Sequence, residues 1–189
     1  PLDAKKLAEK YLSAWQKGSV PAQQFEKSPR PAKTYVAVVD RPSSVQSVVT
    51  IASPVQLVKG APNDIPANVM NNILGGGFSG RLFANLREKH GFTYGAYSSL
   101  QSNKYVGIFK AEASVRNEKT DSSIQETLTE IKKIQTEKVG EEELGRMKNY
   151  LAGGFARSLE NPSTIAGFAL NIEKYNLPAA YYQKYLTNI

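Results

Sequence analysis

A chain of 189 residues, 41% hydrophobic and 22% charged, carries enough apolar side chain to bury one sizeable core, so one main domain is expected. It has no cysteine, which excludes a disulfide framework, a thiolate zinc site and a cysteine nucleophile; no apolar run approaches the roughly 20 residues that span a bilayer, and Pro1–Leu2–Asp3 does not open a signal peptide, a removed leader being left open. The net charge of +7 raises the question of nucleic acid, but the lysines are dispersed among Glu and Gln on helical stretches (Lys5–Lys6, Lys132–Lys133, Lys138) without the interleaved aromatics of a single-strand platform, so solvated helix faces account for them.

In chain order, Leu7, Tyr11, Leu12 and Trp15 recur at helical spacing and predict an amphipathic helix over residues 2–17, ended by Gly18. Pro21, Pro29 and Pro31 then mark an extended connector. Residues 34–39 and 45–51 are rich in β-branched side chains and flank Asp40–Arg41–Pro42–Ser43, which predicts two strands about a turn. Residues 64–74 read as a helix with Val69, Ile73 and Leu74 on one side, interrupted by Gly75, Gly76 and Gly77. A second helix carries Leu82, Phe83 and Leu86 and stops at Gly91.

A strand follows from near Tyr94. Across residues 105–116, Phe109, Ala111, Ala113 and Val115 alternate with Lys110, Glu112, Ser114 and Arg116, so this strand has one wet face. Ile124, Leu128, Ile131 and Ile134 predict a helical stripe over 121–137; Leu144, Met147, Leu151 and Phe155 predict another over 141–159. Ser163 is the expected cap of a helix bearing Ile165, Phe168 and Ile172, which Pro178 breaks before a last short helical piece at 179–186. Hairpin-like strands followed by consecutive helices give an α+β class: an antiparallel sheet with helices packed on one face.

Residues 75–98, GGGFSGRLFANLREKHGFTYGAYS, place Arg87 in the last turn of a helix and Tyr94 at the start of a strand. A short connection between them brings a guanidinium and a phenol toward one point, where they can grip an anionic or polarised oxygen. By residue pattern alone the plainer readings lead: Arg87 as a cation at a helix C-terminus, Tyr94 as an ordinary strand aromatic. The Gly75–Gly77 cluster follows a helix and lacks the lysine and hydroxyl of a phosphate loop, so it reads as a turn. Phe78 reads as core or as a substrate contact. His90, the one histidine, is a poor metal signal, and Glu141–Glu142–Glu143 suit the solvated start of a helix. Tyr181, Tyr182 and Tyr185 read as amphipathic packing or a partner surface.

Three stretches together resemble the C-terminal half-domain of the M16 (pitrilysin/insulinase) metallopeptidases, close to the processing-peptidase branch. They are Val45–Gln46–Ser47, the run LGGGFSGRL from Leu74 to Leu82, and Leu86–Arg87–Glu88–Lys89 leading to Gly91–Phe92–Thr93–Tyr94. The resemblance covers nearly the whole chain and implies a LuxS/MPP-like fold. It also implies two similar halves clasping a peptide in a chamber, with zinc on a His-x-x-Glu-His helix of the other half, which is absent here.

On that resemblance Arg87 and Tyr94 are the catalytic pair that stabilises the scissile-carbonyl oxyanion, while Gly75, Gly76, Gly77 and Phe78 form a substrate-binding loop. This chain holds no metal ligands and no cofactor of its own, since a catalytic zinc takes three protein ligands plus water; zinc is expected in the partner half. The expected partners are that half, in the same chain or a separate subunit, and a peptide substrate; nucleic acid and a membrane span are not expected. Residues 1–33 are expected to be a helix and linker from the preceding half, and 34–189 the C-terminal-type domain, truncated before a closing strand. Alone the chain should be inactive, and a soluble periplasmic or cell-envelope location is the expectation. The rival reading is a scaffold that kept the fold without the chemistry.

Overall fold

The computed structural model describes residues 2–21 and 32–189 and divides the chain into two units, Pro1–Ala32 and Lys33–Ile189. In the first, helix α1 (Leu2–Leu12) carries a Lys5–Glu9 ion pair one turn apart. It stops five residues short of the predicted end; Trp15, meant to extend its stripe, is 79% exposed. With Leu7, Tyr11 and Leu12 also at least half exposed, the stripe has little packing among the described residues to prolong the helix. Most of the expected proline-rich connector lies outside the described residues.

The second unit is built on a three-stranded antiparallel sheet of order β1–β3–β2, with β1 at Gln46–Val55, β2 at Thr93–Gln101 and β3 at Gly107–Arg116. The central strand β3 has small side chains inward, Ala111 and Ala113, beside Val115, which lets the helices approach closely. Against this face lie α2 (Asp64–Gly75), α3 (Arg81–Phe83), which passes into a π-helical turn (Ala84–Lys89), and α4 (Thr120–Thr136). Leu74, Leu82 and Leu86 meet Val49, Ala96, Ala111, Ala113 and Val115 in one buried cluster. A second cluster joins Val69 and Ile73 of α2 to Met147 of α5 (Glu141–Ser158). The opposite sheet face is left to solvent, as the alternation across residues 105–116 requires.

The expected strand at 34–39 is not formed: these residues are irregular, and Tyr35, Val36, Val38 and Val39 are exposed. β-branched composition supplies propensity but no partner, and β1 pairs only with β3 among the described strands. The stripe on α4 is also rotated from the prediction. Ser123, Thr127 and Glu130 are its buried residues, whereas Leu128 is half exposed. The polar face turns inward because the π turn meets it with an amide, as described below. Asn161, not Ser163, caps α6 (Pro162–Tyr175): its side-chain oxygen accepts from the Ser163 N–H at 2.9 Å, with Pro162 at the first helical position. The helix closes at Asn176 in the left-handed conformation, before Pro178 is reached, and the final piece is a turn leading into α7 (Tyr185–Asn188).

The three C-terminal tyrosines pack. Tyr182 stacks on Phe168 at 3.8 Å, Tyr185 lies 4.6 Å from Phe155, and Tyr181 donates its hydroxyl to Asp64 Oδ2 at 3.0 Å. Asp64 is fully buried and also accepts from the Gly60 N–H at 3.0 Å and pairs with Lys59 at 3.1 Å. Burial pushes its carboxyl up, but the Gly60 N–H, Ser102 and the Lys59 ammonium outweigh that and hold it below the ordinary carboxylate range. Burial, with the negative Asp64 next to it, pushes the Tyr181 phenol well up.

Candidate active site

Tyr94 reaches solvent through a break in strand alternation. Ala96 pairs with Ala113 and Thr93 with Val115, so three steps on β2 answer two on β3 and one residue is extra. Continued from buried Ala96 and Ser98, the alternation would have sent Tyr94 into the core; the bulge turns it out, 88% exposed. Thr93 holds the bulge in place. Its hydroxyl receives the Gly95 N–H at 3.1 Å and lies 2.6 Å from the Ser114 carbonyl, which it meets as donor. Gly95 completes the arrangement, because the Tyr97 ring lies over it where a side chain would stand.

Tyr94 and Tyr97 line a hollow of about 540 Å³ on the open sheet face, together with Gln46, Val48, Thr93, Gly95, Glu112, Ala113 and Ser114. Glu112 is the only ionisable carboxylate in that lining. The Lys110 ammonium, 2.6 Å away and hydrogen-bonded to it, holds its carboxyl below the usual range. The Tyr94 hydroxyl has no partner among the described residues and is free to donate.

Arg87 lies in the π turn. The turn closes with the His90 N–H donating to the Asn85 carbonyl at 3.1 Å and the Gly91 N–H to the Arg87 carbonyl at 3.0 Å, and Gly91 has φ +62°, the left-handed value its type favours. Arg87 is exposed and makes no ion pair among the described residues; its guanidinium carbon sits 4.8 Å over the centroid of the Phe83 ring. Phe83 touches Phe78 edge-on at 5.1 Å and Tyr97 at 6.0 Å. Arg87 and Tyr94 do not share one lining: Arg87 is not among the residues of the hollow. Tyr94 lines the hollow directly, and Arg87 is linked to it through Phe83 and Tyr97, with no hydrogen bond between the pair.

The glycine-rich run divides by role. Gly75 is buried where α2 crosses β2; a Cβ there would come within 2.6 Å of the Ser98 backbone nitrogen. Gly76 is exposed and Gly77 half-buried, neither lining the hollow, and Phe78 is 72% exposed while resting on Phe83 and on Tyr97 at 6.2 Å. Behind the turn, Asn85 donates from its amide to Glu126 at 2.9 Å and Glu130 at 2.8 Å, two α4 carboxylates one turn apart. Arg81 makes a two-pronged bridge to Glu143 at 2.6 and 2.8 Å, so Glu143 is not the solvated helix-start residue expected. That pairing holds the Glu143 carboxyl down and pushes Arg81 up. Sequence reading missed both anchors, although Gly95 inside a strand was a usable sign of the bulge.

His90 stacks on Phe92 at 4.8 Å, and its Nε2 lies 3.9 Å from Glu126 without a hydrogen-bond partner. Among the described residues no group of three or more His, Cys, Asp or Glu converges to hold a metal ion, so the residues present do not fit a catalytic zinc. No helix among them is long and apolar enough to cross a membrane.

Against known families, the profile described as the peptidase M16 inactive domain matches residues 1–151. The chain belongs to the M16 peptidase family, as its inactive domain. An uncharacterized zinc protease of Rickettsia felis is 42% identical over 90 residues, 47% of this chain and 21% of that protein. A Bacillus subtilis zinc protease, YmxG, is 31% identical over 99 residues, 51% of this chain and 24% of its own length. The inactive domain thus spans about a fifth to a quarter of the relatives it matches. Among solved structures, a peptidase M16 inactive domain from Pseudomonas fluorescens superimposes with a TM-score of 0.71 at 28% identity over 76% of this chain and 34% of that one. A protease from Helicobacter pylori gives 0.83 at 19% identity over 99% of this chain and 45% of that one, a likeness of fold. The α+β class, with helices on one face of an antiparallel sheet, is therefore the one read from the sequence.

Proposed function

We propose that this inactive domain is the zinc-free half of an M16-type endopeptidase, confining a peptide against its open sheet face for a partner half that bears the His-x-x-Glu-His motif. Arg87 and Tyr94 supply donors to the carbonyl oxygen as the amide is attacked. The observation that carries this reading is that Tyr94 lines the hollow with its hydroxyl unpartnered, while Arg87, joined to it through Phe83 and Tyr97, meets no carboxylate among the described residues, so the guanidinium stays cationic and the phenol can donate. Gly76, Gly77 and Phe78 form the lip over which the chain enters, and buried Gly75 sets their height. Activation of water lies outside this chain, and residues 1–33 belong to the preceding half.

The test pairs the domain with a zinc-bearing half and compares peptide hydrolysis by wild type, Arg87→Ala and Tyr94→Phe. Loss of one oxyanion donor costs about 10²–10³ in kcat, so each variant is expected to fall by that order with folding preserved. Equal rates would favour a second reading, a scaffold without chemistry. A chain of complex III from Candida albicans has a similar fold (TM-score 0.62, 15% identity, 77% of this chain and 37% of that one), which shows the fold inside a large assembly.

A further inference from the structure

Arginine is a long side chain with many rotamers, and a donor that wanders among them is not preorganised. A carboxylate is the usual restraint, yet Arg87 has none among the described residues; its guanidinium rests instead on the face of Phe83, one helical turn earlier, 4.8 Å from the ring centroid. The ring is 4% exposed and is fixed in turn by Phe78 on its edge and Tyr97 beside it. The backbone that carries Arg87 is pinned separately, by the Asn85 amide.

We propose that Phe83 is the positioning residue for Arg87: its π face holds the guanidinium in place without consuming it. A carboxylate in that place would neutralise the charge and occupy the N–H groups that the oxyanion needs. Stacking uses only the flat face of the guanidinium and leaves its in-plane donors free. The attraction comes from the ring quadrupole, so it depends on ring electronics and not only on volume. A leucine or methionine would fill the same buried space and hold the fold, but would leave the arginine loose. The inference rests on the reading of Arg87 as an oxyanion donor and adds to it the group that makes the donor effective.

The test uses the chain together with a His-x-x-Glu-His-bearing half, with position 83 occupied by phenylalanine or by its mono-, di- and trifluorinated analogues, which change volume little and drain the ring quadrupole stepwise. The expected result is a graded loss of kcat, roughly two- to tenfold at the trifluorinated ring, with KM and the unfolding midpoint unchanged and with no gradation in an Arg87→Ala background. In the unpaired chain, the Arg87 side-chain protons are expected to show an upfield ring-current shift that Phe83→Leu removes.

A flat kcat across the series, while Arg87→Ala still costs about a hundredfold, overturns the role of Phe83 and leaves that of Arg87 standing. A kcat that falls only in step with the unfolding midpoint assigns Phe83 to packing and overturns the inference as well, as do unshifted Arg87 protons in the wild type. A silent Arg87→Ala removes the oxyanion reading itself, and the positioning role with it.

Discussion

At Tyr94 a single extra residue decides between core and solvent, and the Thr93 hydroxyl is what holds that residue in place. Thr93→Val keeps the shape and removes the hydroxyl's contacts with the Gly95 N–H, the Gly95 carbonyl and the Ser114 carbonyl, leaving the half-buried Gly95 N–H without its acceptor. The expected loss is about 1–2 kcal/mol of stability, read from the urea midpoint. Turnover with the zinc-bearing half should fall further than stability explains, because Tyr94 loses its aim; turnover that merely tracks the folded fraction would refute the link between bulge and site. The Arg87/Tyr94 motif was legible in the sequence, but the device that exposes Tyr94 was not read, because strict alternation hides a one-residue slip unless Gly95 is taken as its sign. Gly75 was read with its neighbours as loop, whereas its place is fixed by a backbone approach that only tertiary structure reveals.

Among the elements, those with a period long enough to count were read correctly in kind: the helices beginning at Asp64, Thr120 and Glu141 and the alternating strand from Gly107 all form. What failed was partner-dependent. Residues 34–39 have strand composition and no ladder, and α4 turns Ser123, Thr127 and Glu130 inward because Asn85 and Lys133 satisfy the Glu130 carboxylate. The start of α2 offers a measurable case of the same kind, since buried Asp64 ties the Gly60 turn, Lys59 and Tyr181 to one carboxylate. Its native pKa is depressed, so its contribution is complete above the unfolded carboxylate value of about 3.9 and is lost as pH falls through the lower native value. Asp64→Asn is expected to cost about 1.5–3 kcal/mol near neutrality and to flatten the acid limb of the melting curve below about pH 4. An acid limb as steep in the variant as in wild type would assign the acid sensitivity elsewhere.

On the scale of the whole second unit, the sheet is one-sided: helices seal one face, and on the other a hollow of about 540 Å³ carries Tyr94 and Tyr97 with no element of that unit opposite among the described residues. Donors facing bulk water do little for an oxyanion, because water competes for it and the high dielectric weakens each contact. The chain also holds a single histidine, and its described residues offer no convergent metal-ligand set. Both arguments give one expectation: the domain alone hydrolyses no peptide, even with added zinc, and its melting temperature is the same with zinc as with a chelator. Titrating in a half that bears His-x-x-Glu-His should bring hydrolysis up to saturation at one equivalent, with the new activity chelator-sensitive and the Arg87→Ala domain saturating at the same equivalence but a far lower plateau. Equal stoichiometry with unequal plateaus would separate closing the chamber from stabilising the transition state. Chelator-sensitive hydrolysis by the unpaired domain would show a complete metal centre within this chain and would remove the division of labour on which the site was built.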